Sequence, residues 1–292
     1  MRLPLSLLFS IASLLLAVPV RADGIIDLAT VKEPEDLYRD VKPNALNKES
    51  SIFVRLTTIT FSTQCLYTAG DKDVSVEGLV DLVGVDNAVF QAITDSYEAY
   101  VQQKLGEIFT VIPFAQVEAS KAFAKTKFKN PPEEFGVEKS TGLKAMTLKT
   151  KTFSAGNRPL TDSWDAGNLY AAMELNSGTT SWSASVVFAF WSKNSGVSQG
   201  TSTKTAKLNI DPFIWLTGVG ASFSSQKMKV GGLDINKPVG FPADQSWVKE
   251  IRKPTEDHWE IVADPELFKE AVLKVLRYNV DNQVAILKKA RS

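Results

Sequence analysis

Ser51-Ile52-Phe53-Val54-Arg55-Leu56-Thr57-Thr58-Ile59-Thr60-Phe61 is the stretch that decides the fold. It is β-branched and aromatic throughout, with no glycine or proline, and reads as a strand. From Asp86 the period changes. Val89, Ile93, Tyr97, Val101 and Leu105 recur every four residues, with Phe90 and Tyr100 widening the stripe. Asp86 is placed to cap the first turn and Gly106 to end the last, so the spacing predicts an amphipathic helix of about 20 residues. Ile108–Pro113 (IFTVIP) then reads as a strand, and Phe114–Phe128 as a second helix ending before Asn130-Pro131-Pro132. Strand, helix, strand, helix in so short a span is the layout of an α/β layer, and the Phe61-to-Ile108 connection is long enough for a right-handed parallel crossover.

Beyond Pro132 the composition turns to Ser, Thr, Gly and β-branched residues. Leu143–Phe153, Leu169–Asn176, Trp182–Ser192 and Thr203–Leu216 read as strands of an antiparallel meander on the same sheet. Between Phe61 and Asp86, residues 68–85 read as a polar loop with a short strand at 74–76, and residues 217–256 show no regular period. Trp259–Val262 is strand-like and leads to the strongest helix of the chain. Asp264 is its cap, Pro265 its first position and Glu266 the complement to its dipole. Phe268, Val272, Val275, Val280, Val284 and Leu287 follow on one face, and Lys288, Lys289 and Arg291 close it. The fold class expected is α/β (α+β): a mixed sheet packed by two or three amphipathic helices, one of them long and C-terminal.

The 292 residues divide into a leader and one domain. Arg2, the apolar run Leu3–Val18 and the small residues Val20 and Ala22 make residues 1–22 a signal peptide, cleaved before Asp23. The apolar run is short for ~30 Å of hydrocarbon, and Pro4 and Pro19 interrupt it. Residues 23–292 form the mature domain, with 23–50 as an extended lead-in. Export to the periplasm or the extracellular medium is therefore expected. No cysteine stands directly at the cleavage site, where Asp23 follows Ala22, and Cys65, the one cysteine, has no intrachain partner. With 33 basic and 33 acidic side chains, the chain lacks the basic excess of a nucleic-acid binder. One histidine and one cysteine argue against a metal site, and no cofactor motif is complete.

Chemistry is sparsely written. Gly196-Val197-Ser198-Gln199-Gly200 matches G-x-S-x-G, a motif that needs a strand-to-helix elbow, whereas Thr201–Lys207 has no helical stripe. Ser198 with His258, the one histidine, or a carboxylate pair from Glu133-Glu134, Glu256-Asp257 or Asp162 with Asp165, would make a hydrolase. Trp182, Trp191, Phe213 and Trp215 crowd two neighbouring strands. They make either a core covered on both sides or a set of aromatic anchors for a partner or a peripheral membrane contact.

Val85–Asp95, continuing through Tyr100-Val101, Phe109-Thr110-Val111 and Glu118-Ala119-Ser120, resembles a family of uncharacterised exported bacterial proteins. In layout, over residues 51–216, the chain also resembles the periplasmic α/β domains of the TolB amino-terminal type and of the curli-secretion channel. The resemblance implies an envelope binding or assembly role with an envelope protein as partner, and no catalysis.

Overall fold

The computed structural model describes residues 24–38, 43–70, 73–126, 128–129, 135–140, 144–161, 166–192, 195–199, 203–227, 229–235 and 237–292. The signal-peptide segment 1–22, the Asn130-Pro131-Pro132 breaker and the carboxylates Glu133, Glu134, Asp162 and Asp165 lie outside the described residues.

The quoted stretch is the first half of a 20-residue strand, β1, Ser51–Gly70. It is followed by β2 (Ser75–Val83) and α1 (Asn87–Leu105), then β3 (Phe135–Ser140), β4 (Lys144–Ser154) and α2 (Ala166–Glu174). The chain continues through β5 (Gly178–Trp191), a hairpin of β6 (Gly196–Gln199) and β7 (Lys204–Lys207), β8 (Ile210–Ser224) and β9 (Val230–Asp234). It ends with β10 (Val248–Thr255), β11 (His258–Ala263) and α3 (Pro265–Arg291). The expected mixed α/β sheet with a long C-terminal helix is the architecture observed.

β1 holds the sheet together through three long ladders and one short one. β4 runs antiparallel along it from Thr58 to Ala69. β5 runs parallel from Ile52 to Phe61, and β2 antiparallel from Gln64 to Gly70. Since β4 occupies one edge of β1 throughout that stretch, β5 and β2 share the other edge in succession. Outward from β5 lies β8, antiparallel, with β9 on its far end. Outward from β2 lies β11, parallel, and then β10, antiparallel, at the end of the sheet. The expected parallel crossover is present, pairing Ser51-Ile52 with Thr110-Val111.

Where β5 leaves β1, a buried carbonyl needs a donor. Pro212 stands opposite Ala189 and has no N–H to give. The Ala189 carbonyl instead accepts from Tyr67 Oη at 2.7 Å and Trp215 Nε1 at 2.9 Å. The inner faces of α1 and α3 pack with one side of the sheet in a single large core, from Ile93 and Tyr97 to Val272 and Val280. The helix caps are those expected: Asp86 accepts from Val89 N, and Asp264 from Glu266 N and Leu267 N.

Several expected elements differ. Leu169–Asn176 belongs to a helix, not a strand: Ala171 and Ala172 are strong helix formers and fit against Phe53 and Phe123 in a second, smaller core. The helix expected over Phe114–Phe128 is a single short helix, Phe114–Glu118, followed by a 3₁₀ turn at Phe123–Lys125. Ile108–Pro113 contributes strand only at Thr110-Val111. The loop expected over 68–85 is largely strand, because Gly78 and Val80 gain cross-strand partners in Tyr67 and Cys65.

Arg158 ties these layers together. Its side chain is nearly buried and ion-pairs with Glu98 of α1. It donates to the carbonyls of Val54 and Arg55, where the β1–β5 register slips, each at 3.3 Å. The guanidinium also lies 4.3 Å from the centre of the Phe114 ring. Burial pulls it down to about 10, with Asp95 opposing, so it is a cation at neutral pH. Arg158→Ala takes the cation from Glu98, which is nearly buried and keeps only the Gln102 amide as a donor, and urea unfolding is expected to show a loss of about 3 kcal/mol; a loss below ~1 kcal/mol would contradict this role.

α3 is held at its ends and flank by carboxylates. Lys288, with Lys104, holds Glu107 below the usual range. The Leu267 N–H and Lys249 do the same for Asp264. Burial alone would raise Asp244, but Lys274 at 2.6 Å and Ser246 bring it down. The unfolded chain binds these protons more tightly, so this support is present above ordinary carboxylate values and lost as pH falls through them. The urea midpoint is expected to drop between about pH 5 and pH 3, and a flat midpoint would count against it.

Candidate functional site on the open face of the sheet

Alternation along β5 and β8 separates two surfaces. Trp182, Ala184, Ala221 and Leu233 point into the core beneath α1 and α3. The residues between them are small and polar. Leu56, Ser181 and Ser222 are neighbours in register, and so are Thr58, Ser183, Gly220 and Asp234 on the next row. These two rows line a groove with a cavity of about 190 Å³. Short side chains keep the floor low, so the sheet itself forms the bottom of the groove.

Asp234 is the one charged residue of the groove's lining, and Arg55 lies buried behind Ser181. Arg55, only 5% exposed, donates from Nε to Ser181 Oγ at 2.8 Å. Asp234 lies across the ladder from Gly220, and a Cβ on Gly220 would overlap its carboxylate. Gly218, two residues earlier, has φ +61° within the register irregularity of β8 between Thr217 and Gly220. Both glycines therefore serve the shape of this strand. The lining offers hydroxyls that donate and accept, and one carboxylate that accepts. It contains no histidine, cysteine or lysine. Such a surface recognises polar groups by hydrogen bonding and holds no nucleophile–base pair.

The aromatic anchors expected from the sequence are not on a surface. Trp182, Trp191, Phe213 and Trp215 are 1%, 2%, 6% and 0% exposed. Trp191 meets Tyr67 edge-on at 5.5 Å, and Phe190 packs against Phe213 and Trp215. The binding role assigned to all four is corrected to a core role, because all four pack within the large hydrophobic core.

Ser198 lies within β6, which pairs with β7 as a hairpin, and not at a strand-to-helix elbow. Its hydroxyl is 2.7 Å from Thr205 Oγ1. His258 Nε2 lies 2.8 Å from Asp81 Oδ2, while Gln64 donates to Asp81 Oδ1 at 2.7 Å. Among the described residues no hydrogen bond joins Ser198 to His258. Cys65 is buried, and burial pushes its thiol up to about 12, which leaves it unreactive at neutral pH. Among the described residues no three His, Cys, Asp or Glu side chains converge on a point that could hold a metal ion.

Sequence reasoning passed over the groove. Its signal was present in Ser181, Ser183 and Ser185 alternating with Trp182 and Ala184, and in Gly218 and Gly220, but which face stays open depends on where the helices pack.

The fold and site define a class: a mixed α/β sheet protein with α1 and α3 on one face, and on the other a hydroxyl-lined groove beside the smaller core that α2 builds on Phe53. Comparison of the chain with protein-family models, with curated proteins and with solved structures found no match.

Gly220→Ala is expected to destabilise by roughly 1–3 kcal/mol through the clash with Asp234. Adding Asp234→Ala should recover most of the loss in the same unfolding assay; additive losses would show that the two do not touch.

Proposed function

We propose that the protein is an exported, non-catalytic binding or assembly factor of the cell envelope, acting through contacts with an envelope protein. The groove floored by Thr58, Ser181, Ser183 and Ser222 carries this reading. A sheet normally covers an apolar face with helices, and this one leaves a polar face open beside a fully packed core. Hydroxyl rows of this kind suit the main chain or polar side chains of an extended segment. The signal-peptide features of residues 1–22 place the encounter outside the cytoplasm, and the layout resemblance to periplasmic α/β domains agrees with it. A secreted hydrolase based on Ser198 and His258 draws no support from the positions of those residues.

A photo-reactive amino acid at Ser183, with Glu266 on α3 as control, tests the reading in intact cells. The expected result is a discrete adduct with an envelope protein from position 183 alone, on a chain that fractionates outside the cytoplasm and begins at Asp23. Equal labelling from both positions, no adduct at 183, or retention in the cytoplasm would each refute it.

A further inference from the structure

The end of the sheet points to a second copy of the chain. β10 closes the sheet, with β11 on one side and no strand on the other among the described residues. All its residues after Val248 are exposed. Two register irregularities, before Glu250 and after Arg252, leave Glu250-Ile251-Arg252 as its regular window.

Two cross-strand rows run out to this window and stop there. The first is apolar: Leu82 of β2 stands opposite Ile261 of β11, which stands opposite Ile251 of β10. Ile261 is buried, but Ile251 is 50% exposed, so the row ends in water. The second is polar, with Lys149, Gln64, Asp81, Glu260 and Arg252 in successive strands. It ends on a cation, Arg252, which has Glu250 as its neighbour at 2.8 Å along the strand.

We infer that β10 pairs antiparallel with β10 of a second copy, about a two-fold axis through Ile251. That axis sets Ile251 opposite Ile251 of the other copy and joins the two apolar rows into one. It also sets Arg252 opposite Glu250 of the other copy, twice by symmetry, so the cation that ends each polar row gains a carboxylate across the axis. Lys249 and Lys253 would face each other across the axis, but each is drawn back over its own chain. Lys249 pairs with Asp264 at 3.2 Å, and Lys253 lies 4.7 Å from the centre of the Trp259 ring. Pro254, which has no N–H, stops the pairing just past the window. So short a ladder makes a weak, concentration-dependent dimer. It uses the edge of the sheet and leaves the groove free, so it stands independently of the proposed function.

Sedimentation velocity on the mature chain over a wide concentration range tests it. The wild type should pass from monomer to dimer. Arg252→Glu sets glutamates opposite each other twice and should weaken the dimer roughly ten-fold. The double swap Glu250→Arg/Arg252→Glu restores opposite charges and should restore dimerisation, which separates pairing from misfolding. A wild type that stays monomeric to about 1 mM, on the order of the weakest specific affinities, overturns the inference. So does a dimer indifferent to Arg252→Glu, or a double swap that stays monomeric while correctly folded.

Discussion

A strand has two hydrogen-bonding edges, and the whole fold follows from how β1 uses its pair. One edge is given to β4 from Thr58 to Ala69. The other is divided, first to β5 and then to β2. That division forces the sheet to open into two wings, β5–β8–β9 and β2–β11–β10. It also frees backbone groups at the fork, which side chains must then satisfy. Tyr67 and Trp215 do this for the Ala189 carbonyl, and Arg158 does the same for Val54 and Arg55 of β1 further back, at the register slip with β5. An unsatisfied buried carbonyl costs about as much as a lost hydrogen bond, so these contacts are requirements of the topology.

The concentration of aromatics follows from the same fork. Diverging strands leave a wedge that only large side chains fill, and Tyr67, Phe190, Trp191, Phe213 and Trp215 fill it. Their burial removes them from any docking role and gives the core its rigidity. The small residues of β5 and β8 stand on the opposite course: they contribute little to packing and leave a face that water or a partner can reach. Open groove and core are thus neighbours on alternate residues of the same strands.

The two wings present different surfaces. The β5–β8–β9 wing, with Leu56 and Thr58 of β1, forms the groove, lined by hydroxyls and one carboxylate. The β2–β11–β10 wing ends in an exposed strand whose apolar and polar rows stop at Ile251 and Arg252. Neither surface has the buried base, nucleophile and oxyanion donors that hydrolysis requires, while both offer the extended hydrogen-bonding that protein association uses.

Local chemistry alone determined several elements. Asp86 and Asp264 are short polar caps before apolar stripes of helical period, and both helices form there because capping and periodicity are properties of neighbouring residues. The strand Ser51–Phe61 was legible for the same reason, since β-branched residues favour extended backbone whatever they pair with. What only the tertiary structure decided lay in long-range contacts. Ala171 and Ala172 became helix because Phe53 and Phe123 offered a place to bury them. Gly78 sits within a strand because Leu208 and Trp259 press on the space where a side chain would be. The fate of Trp182, Trp191, Phe213 and Trp215 was open in the sequence, since an aromatic run reads alike whether covered or bare. The groove was hidden for the same reason: alternation says that Ser181 and Trp182 face opposite ways, and only the packing of α1 and α3 says which way is in.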